Sequence, residues 1–264
     1  MKAFISGSAV GIGRAIAVAV GERGGHAFGL DLDADNNAET ARQVEAAGGT
    51  FTAFTGDAGD MAVVRACFDD VAKATDALDL LVNNTAIFNN NALNGGDFET
   101  QGNAFRAAID SCLMGAYYCT HAALPLLKAA TAPNIINMLT DHVKPGFYLT
   151  GLPATGYDCA KFGLWRLTEN WAVELKKDGI RVNGLCFGAT DTPMLRAVSV
   201  ATAEIGMKAS DIADAVFNVV EQGPDGDTGE SYLFGLTRAP LSESRAQIVQ
   251  LREGGQPTLP SGQT

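Results

Sequence analysis

The sequence lacks the arrangements of cysteine that mark a metal site or a disulfide framework. Its five cysteines are scattered, without a CxxC pair or a Cys/His cluster at metal-ligand spacing. We therefore expect no metal, and reduced thiols in a reducing compartment. Basic residues are also few: the sequence has 19 basic and 30 acidic residues, which gives a net charge of −11. This balance argues against nucleic acid or an anionic membrane as a partner.

Long apolar runs and internal linkers are missing as well. No segment approaches the roughly 20 apolar residues of a membrane span. Lys2–Ser6 runs directly into a glycine-rich turn, which leaves no room for a signal peptide. We therefore expect a cytoplasmic protein that does not enter a membrane. Without a linker or a repeat, the chain predicts one domain over residues 1–253, followed by a polar, flexible tail at 254–264.

What the chain does contain is an alternation of short apolar runs and longer segments with helical periodicity. Paired glycines at 24–25 and 48–49 stand where helices should stop. Strands joined by helices predict an α/β fold, a doubly wound parallel sheet with helices on both faces. The seven candidate strands are Lys2–Ser6, His26–Asp31, Thr50–Thr55, Leu78–Val82, Asn134–Leu139, Ile180–Cys186 and Glu230–Phe234.

A glycine-rich turn, Ser6–Gly13, follows the first strand, and a helix begins immediately after it. Glycines at positions 7, 11 and 13 remove the Cβ atoms that would keep backbone amides and the helix N-terminus away from a pyrophosphate. The spacing of these glycines is G-x3-G-x-G. Glycine-rich turns that bind no ligand are common, so the glycine pattern alone is a weak signal. The position between the first strand and the first helix nevertheless favours a dinucleotide-binding turn.

Asp31 ends the second strand, 18 residues after Gly13. A carboxylate there can accept hydrogen bonds from both adenosine ribose hydroxyls. It would repel a 2′-phosphate by about 1–4 kcal/mol at about 4 Å, and no basic residue offsets this at the neighbouring positions Ser8, Ala9, Val10 and Leu32. We therefore predict NAD as the cofactor. Two alternatives remain: Asp31 caps a helix that starts near Ala34, or the protein is a reductase that uses NADPH.

Tyr157 and Lys161 lie four residues apart in a segment of helical character, which puts both side chains on one helix face. A free tyrosine has a pKa near 10, too high for a general base at neutral pH. The positive charges of a lysine and an oxidised nicotinamide would lower that pKa. Pairs with this spacing also occur by chance in many helices.

The pair belongs to an ordered series of motifs: Ser6–Gly13, Asp31, Asp57, Asn83–Ala86, Tyr157 with Lys161, and Ile180–Asn183 followed by Gly188 and Thr192. In this order and spacing the chain resembles the short-chain dehydrogenase/reductase family, classical type, over about residues 2–236. The resemblance implies a seven-stranded Rossmann-type sheet, a nicotinamide cofactor and a homotetramer or homodimer. It also implies reversible conversion of an alcohol to a carbonyl.

The resemblance also implies the roles of individual residues. Tyr157 would be the catalytic acid/base, Lys161 its electrostatic partner, and Thr140 the hydroxyl that orients the substrate, where the family usually has serine. Tyr157 and Lys161 would also contact the cofactor. The other cofactor-binding positions, from the pyrophosphate through the adenosine to the nicotinamide, would be Gly7, Ser8, Gly11, Ile12, Gly13, Asp31, Leu32, Asp57, Ala58, Asn84, Ala86, Gly188, Thr190 and Thr192.

Several positions depart from the family pattern. Cys112 stands where an asparagine usually supports a proton relay, and we expect a buried, inert thiol there rather than a redox group. Ala86 and Phe187 replace a glycine and a proline beside the cofactor.

Thr140 and Tyr157 are 17 residues apart, about four more than usual in the family, so we expect an enlarged loop after Thr140. His142 in that loop can bind substrate, but a surface-loop histidine is the commoner case.

The expected substrate pocket is mainly apolar and aromatic, without a basic clamp for a phosphate or carboxylate. Its predicted lining is Phe88 with its loop, Asp141–Leu152, Phe187, and residues after Pro193 such as Met194, Leu195 and Met207. This composition favours a secondary alcohol or ketone on a hydrophobic, cyclic or aromatic skeleton. The alternative is a protein that binds NAD as a sensor or scaffold and catalyses no reaction.

Overall fold

The computed structural model describes residues 1–89, 91–143 and 153–233. The predicted tail at 254–264, the domain limit at 253 and the loop residues 144–152 lie outside the described residues. The strands are β1 Lys2–Ser6, β2 His26–Asp31, β3 Thr50–Thr55, β4 Leu80–Asn83, β5 Asn134–Thr140, β6 Arg181–Phe187, β7 Thr190–Asp191, β8 Met207–Lys208 and β9 Ser231–Leu233. The α-helices are α1 Gly11–Glu22, α2 Ala34–Ala46, α3 Met61–Ala74, α4 Phe98–Ile109, α5 Gly115–Lys128, α6 Thr155–Glu174, α7 Pro193–Val198, α8 Val200–Ile205 and α9 Ala209–Val220.

Seven of these strands form one parallel sheet in the order β3-β2-β1-β4-β5-β6-β9. The predicted doubly wound α/β sheet is therefore confirmed. β1, β2 and β3 have the expected bounds, and the other four strands of the sheet differ by one or two residues at one end or both. β4, for example, begins at Leu80 rather than Leu78. The short parallel pair of β7 and β8 was not predicted.

The helix ends follow from local chemistry. Gly24 and Gly48, after α1 and α2, adopt positive φ angles of 64° and 95°, a conformation that glycine takes without strain. The predicted helix stops are therefore confirmed. At the N-terminus of α2 the capping residue is Asp33, whose carboxylate accepts from the amide of Asn36. The alternative in which Asp31 caps this helix is wrong.

The strands in the middle of the sheet are buried, with every residue of β4 and β5 inside the protein. Apolar side chains on both sheet faces pack against the helices and form the core. The strand order reverses between β1 and β4. At such a switch point the loops after the two strands diverge and leave a crevice at the carboxyl edge of the sheet.

Candidate active site

The glycine-rich turn after β1 is built for close approach of a ligand to the backbone. Gly7 and Gly11 have φ angles of 71° and 57°, which other residues adopt only with strain. A Cβ at Gly13 would lie 1.9 Å from the carbonyl oxygen of Gly7, so only glycine fits there. The turn leads into α1, whose N-cap residue Val10 provides no side-chain hydrogen bond to the first amides.

This N-terminus differs from those of the next three helices, each of which is capped by an aspartate: Asp33, Asp60 and Asp97. A cap side chain satisfies amide groups that would otherwise bind water or a ligand. The first amides of α1 receive no such bond and lie at the positive end of the helix dipole. This arrangement is suited to an anion such as a phosphate group.

A cleft of about 280 Å³ opens beside this turn. Most of the predicted cofactor-binding residues line it: Gly7, Gly11, Ile12, Asp31, Leu32, Asp57, Ala58, Asn84, Ala86, Tyr157, Lys161 and Thr192. Ser8 and Gly13 instead lie behind the cleft surface, and the Ser8 hydroxyl is hydrogen-bonded to the amide oxygen of Asn37 at 2.8 Å. Gly188 and Thr190 line a neighbouring cavity.

Asp31, the last residue of β2, lines the cleft. Its carboxylate accepts from the amides of Ala9 at 2.9 Å and Asp33 at 3.0 Å. Each carboxylate oxygen has a second lone pair, so Asp31 can still accept hydrogen bonds from a ligand. Leu32 beside it is 66% exposed.

Arg14, immediately after the glycine turn, is a structural residue that the sequence analysis did not single out. Its guanidinium donates to the carbonyl oxygen of Ala9, to both oxygens of Asn36 and to the hydroxyl of Thr40. The arginine thereby fastens the glycine turn to α2. The position of Arg14 directly after Gly13 was the signal in the sequence that could have indicated this role. The partners of Arg14 on α2 can be identified only from the folded structure.

Lys161 and Tyr157 lie on one face of α6, as their spacing predicts. Lys161 is almost fully buried, and its ammonium donates a 2.6 Å hydrogen bond to the carbonyl oxygen of Met138. The same nitrogen lies 5.6 Å from the centre of the Tyr157 ring. Burial lowers the pKa of Lys161, because it penalises the charged form.

The pKa of Tyr157 is raised, first by burial and then by the nearby Cys112. A side-chain hydrogen bond with Thr140 acts in the opposite direction and lowers this pKa. We expected the positive charges of the lysine and of an oxidised nicotinamide to lower the tyrosine pKa, whereas in the structure burial raises it. The phenol is therefore protonated at neutral pH.

A second cavity, of about 300 Å³, adjoins the cleft. Of these two spaces, Thr140 lines the second cavity, Lys161 lines the cleft, and Tyr157 lines both. The predicted pocket residues Phe88, Phe187, Met194 and Leu195 also line it, together with Asp141 and His142. Met207 does not line this cavity. It is buried in the core and pairs with Thr190 across the two short strands. The prediction that Met207 lines the pocket was therefore wrong.

His142 is not the surface-loop histidine that we considered the commoner case. It lies in a short 3₁₀ turn, Asp141–Val143, and its side chain is only 13% exposed. Its Nδ1 lies 2.6 Å from a carboxylate oxygen of Asp158. The imidazole meets the Tyr157 ring edge to face, with ring centres 5.8 Å apart. Phe88 contacts the same tyrosine in the same manner at 5.0 Å.

Cys112 lies in a π-helical turn, Asp110–Met114, that joins α4 to α5. Such turns are frequent at functional sites. The thiol is buried, and its sulfur accepts from the amide of Ile87 at 3.3 Å. Burial raises the pKa of this thiol, although Lys161 opposes that effect. The environment therefore favours a protonated, unreactive thiol, as we expected.

A buried set of amides and hydroxyls connects the sheet to the helix that bears Tyr157. The Asn83 amide nitrogen donates to Thr120 at 2.9 Å and to the Asn137 amide oxygen at 2.8 Å. Asn137 in turn donates to Thr168 of α6 at 2.9 Å. This network could not be predicted from the sequence, because its four members are separate in the chain and meet only across β4, β5 and the helices.

Among the residues that the structure describes, no helix has the length and the apolar character of a membrane span. Within the same residues, no group of three or more His, Cys, Asp or Glu side chains is arranged to hold a metal ion.

Known proteins are similar to this chain in sequence and in fold. The uncharacterized oxidoreductase YxbG of Bacillus subtilis is 29% identical over 193 residues, which cover 73% of this chain and 68% of that protein. The 3beta-hydroxysteroid dehydrogenase of Mediterraneibacter gnavus is 25% identical over 222 residues, 84% of this chain and 74% of that protein. The solved structure of a 3-oxoacyl-[acyl-carrier protein] reductase from Brucella melitensis with bound NAD has a TM-score of 0.75 and 25% identity, covering 90% of this chain and 91% of that one.

The family model described as short chain dehydrogenase matches residues 1–202, which is more than three quarters of the sequence. Together with the seven-stranded parallel sheet and the relatives above, this match leads to one conclusion. The chain is an oxidoreductase that belongs to the short-chain dehydrogenase/reductase family.

Proposed function

We propose that this chain is an NAD-dependent oxidoreductase that interconverts a secondary alcohol and a ketone, with Tyr157 as the acid/base. The observation that carries the proposal is that Tyr157 lines both the cleft and the second cavity. A group that moves a proton to or from a substrate oxygen must reach the substrate where it meets the cofactor. Tyr157 is at that junction, with Lys161 on the cleft side and Thr140 on the cavity side.

The cleft fits a dinucleotide. The uncapped amides of α1, together with Gly7 and Gly11, suit a pyrophosphate. We assign the adenosine side to Asp31, Leu32, Asp57 and Ala58, and the nicotinamide side to Asn84, Ala86, Thr192 and the adjoining Gly188 and Thr190. When bound, a nicotinamide dinucleotide supplies or accepts the hydride. Thr192 accepts from the amide of Leu195, which leaves its hydroxyl hydrogen available for donation to the cofactor.

NAD is proposed over NADP because of Asp31. Its carboxylate is positioned for ribose hydroxyls and would repel a 2′-phosphate by about 1–4 kcal/mol. Leu32 offers no positive charge, and the guanidinium of Arg14 is engaged by Ala9, Asn36 and Thr40. The similar Brucella melitensis reductase was solved with bound NAD, which supports a nicotinamide cofactor of this kind.

Proton transfer is assigned to this chain's own side chains. In the direction of reduction the protonated phenol of Tyr157 donates to the substrate oxygen, and in oxidation the phenolate accepts the proton back. The raised pKa of Tyr157 suits the donating role. Thr140 orients the substrate oxygen beside the phenol, and the Lys161 ammonium, 5.6 Å from the Tyr157 ring, favours the phenolate when the proton leaves.

The substrate is proposed to have a hydrophobic, cyclic or aromatic skeleton. The described lining of the second cavity contains neither lysine nor arginine and includes seven apolar side chains: Ile12, Phe88, Phe187, Ala189, Met194, Leu195 and Val198. Anionic substrates would therefore lack a basic partner among these residues. The similar Mediterraneibacter gnavus protein is named for a hydroxysteroid, a polycyclic alcohol.

We further propose that the domain extends to residue 253, that it is cytoplasmic, and that it assembles as a homotetramer or homodimer through α4, α5 and α6. Exposed apolar side chains on these helices support such an interface: Phe105, Tyr117, Phe162 and Val173. Light scattering on the purified protein measures the assembly directly. A monomer at micromolar concentration would contradict this part of the proposal.

Oxidation of a panel of hydrophobic secondary alcohols, followed by the formation of NADH, tests the proposed reaction. We expect turnover of alicyclic or aromatic alcohols with NAD, and much weaker turnover with NADP. Activity confined to sugars or to charged acyl thioesters would overturn the substrate class. NAD binding without turnover of any alcohol or ketone would instead indicate a sensor or scaffold.

A further inference from the structure

The segment between β4 and α4 contains a buried polar residue that the proposed reaction does not use. This segment includes three consecutive asparagines at positions 89–91. The last of them, Asn91, is only 4% exposed. An amide side chain is costly to bury unless it forms hydrogen bonds. The bonds of Asn91 therefore indicate what the residue does.

Asn91 is bonded to the start of α6. Its Oδ1 accepts from the amide of Gly156 at 3.2 Å, and its backbone amide donates to the carbonyl oxygen of Pro153 at 3.1 Å. The N-cap residue of α6 is Ala154, whose side chain cannot accept from the first amides. Asn91 therefore supplies, from a distant part of the chain, an acceptor that a helix usually receives from its own N-cap residue.

The packing at this point is close and requires glycine at position 156. A Cβ there would lie 2.8 Å from Nδ2 of Asn91 and 3.0 Å from Cα of Phe105 on α4. Any larger residue would push the first turn of α6 away from these neighbours. The start of α6 is thus packed directly against Asn91 and α4.

The same turn of α6 carries Tyr157, which follows Gly156 in the chain. Phe88, from the segment that contains Asn91, meets the Tyr157 ring edge to face, with ring centres 5.0 Å apart. Lys161 lies one turn further along α6, where its own bond to Met138 holds it. A shift of the first turn would therefore move the phenol more than the ammonium.

We propose that Asn91 is a positioning residue, which sets the place of the Tyr157 phenol by capping α6 from the segment between β4 and α4. This inference rests on the proposed role of Tyr157 as the acid/base. Asn91 is not part of the described lining of the cleft or of the second cavity, so it acts through Tyr157. Proton transfer requires the phenol within hydrogen-bonding distance of the substrate oxygen, and a misplacement of about 1 Å can lower a rate about 100-fold.

A purely structural role is the competing explanation. In that case Asn91 only stabilises the fold, and the ring contacts of Phe88 and His142 are sufficient to hold Tyr157 in place. Its loss would then lower the free energy of unfolding and leave kcat of the folded protein unchanged. A positioning role instead predicts a lower kcat with an unchanged affinity for NADH, because the cofactor cleft is not altered.

The test measures kcat with NAD for the secondary alcohol that the wild-type protein oxidises best, and the Kd of NADH by fluorescence, in the full chain. We expect Asn91→Leu, which has a similar volume but no acceptor, to lower kcat at least about tenfold and to keep the Kd within a few-fold of wild type. Asn91→Asp keeps Oδ1 and should restore most of kcat, since among the described residues Nδ2 has no acceptor to lose.

Asn89→Leu is the matched control. Asn89 belongs to the same segment, but its side chain donates to the carbonyl oxygen of Ala104 on α4, at 2.9 Å, rather than to α6. We expect kcat of Asn89→Leu to stay within a few-fold of wild type. A general loosening of the segment would lower kcat equally in Asn89→Leu and Asn91→Leu.

The outcomes distinguish the inference from the function on which it rests. A kcat of Asn91→Leu within a few-fold of wild type, an equal loss in Asn89→Leu, or no recovery in Asn91→Asp overturns the inference and leaves the proposed reaction standing. A wild-type protein that oxidises no secondary alcohol, or full turnover in Tyr157→Phe, overturns the proposed role of Tyr157 and the inference together. If Asn91→Leu does not fold, the same measurements on Asn91→Ala decide.

Discussion

The ammonium of Lys161 is buried and donates a 2.6 Å hydrogen bond to the carbonyl oxygen of Met138. Among the residues that the structure describes, no carboxylate forms an ion pair with this ammonium. A buried cation in such surroundings is unfavourable for folding, because one neutral hydrogen bond does not replace the water that it loses. The lowered pKa of Lys161 has the same cause. We attribute this position to the proposed reaction rather than to stability, since the ammonium lies 5.6 Å from the centre of the Tyr157 ring.

Replacement of Lys161 by methionine should therefore separate stability from activity. Methionine fills a similar volume without a charge, so we expect the free energy of unfolding to be unchanged or higher by about 1–3 kcal/mol. Turnover should fall at least about 100-fold, because the phenolate loses its electrostatic partner. Urea unfolding and steady-state kinetics measure the two effects. Lys128→Met, at a partly exposed lysine paired with Asp178, is the control, and a clear loss of stability specific to Lys161→Met would contradict this account.

Asp31 should determine the choice of cofactor. In Asp31→Ser the repulsion of a 2′-phosphate disappears, and so does the acceptor for the ribose hydroxyls. We expect the ratio of kcat/KM with NAD to that with NADP to fall at least about tenfold. Asp35→Asn, at an exposed carboxylate in the first turn of α2, should leave the ratio unchanged. A wild-type preference for NADP would show that the assignment of Asp31 is incorrect.

Thr140 should act through its hydroxyl. Thr140→Val keeps the branched shape and removes the hydrogen bond to Tyr157, whereas Thr140→Ser keeps the hydroxyl. We expect kcat to fall about 100-fold in the valine variant and to stay within a few-fold of wild type in the serine variant. Equal activity of the two variants would exclude the proposed role of the hydroxyl. NADH binding, measured by fluorescence, serves as the check that both variants are folded.

Alkaline pH should destabilise the protein through Cys67. Burial raises the pKa of this thiol to about 12, whereas a thiol in the unfolded chain has a pKa near 8.5. The folded state therefore retains a proton that the unfolded state releases. The stabilisation is complete below about pH 8.5 and is lost as the pH rises toward about 12, by about 1.4 kcal/mol per pH unit.

Urea unfolding of the reduced protein between neutral pH and about pH 10 measures this effect. Cys67→Ala should show a shallower decrease of unfolding free energy with pH than wild type, by up to about 1.4 kcal/mol per unit. Cys159→Ala, at the exposed cysteine, is the matched control. Identical pH slopes for wild type and Cys67→Ala would contradict the burial argument.

The sheet and the glycine turn could be predicted from the sequence because their signals are local. Apolar runs define the strands, and the strand β1 followed by Gly7, Gly11 and Gly13 identifies the turn. The Tyr157–Lys161 pair was visible because helical periodicity brings residues four apart together. These features need no knowledge of how distant segments meet.

The features that were missed depend on packing between distant segments. The His142–Asp158 bond joins residues 16 apart across a loop of unusual length, and no periodicity relates them. Met207 was expected in the pocket but is buried in the core, because an unpredicted pairing with Thr190 places it there. The raised pKa of Tyr157 likewise reflects burial, which the spacing of two residues does not reveal.

The central claim is that Tyr157 moves the proton at the junction of the two cavities. The most direct measurement compares Tyr157→Phe with wild type in turnover of a secondary alcohol and, separately, in NADH affinity. We expect kcat to fall by about 100-fold to 10 000-fold, with an NADH dissociation constant within a few-fold of wild type. Turnover of Tyr157→Phe within about tenfold of wild type would contradict the claim.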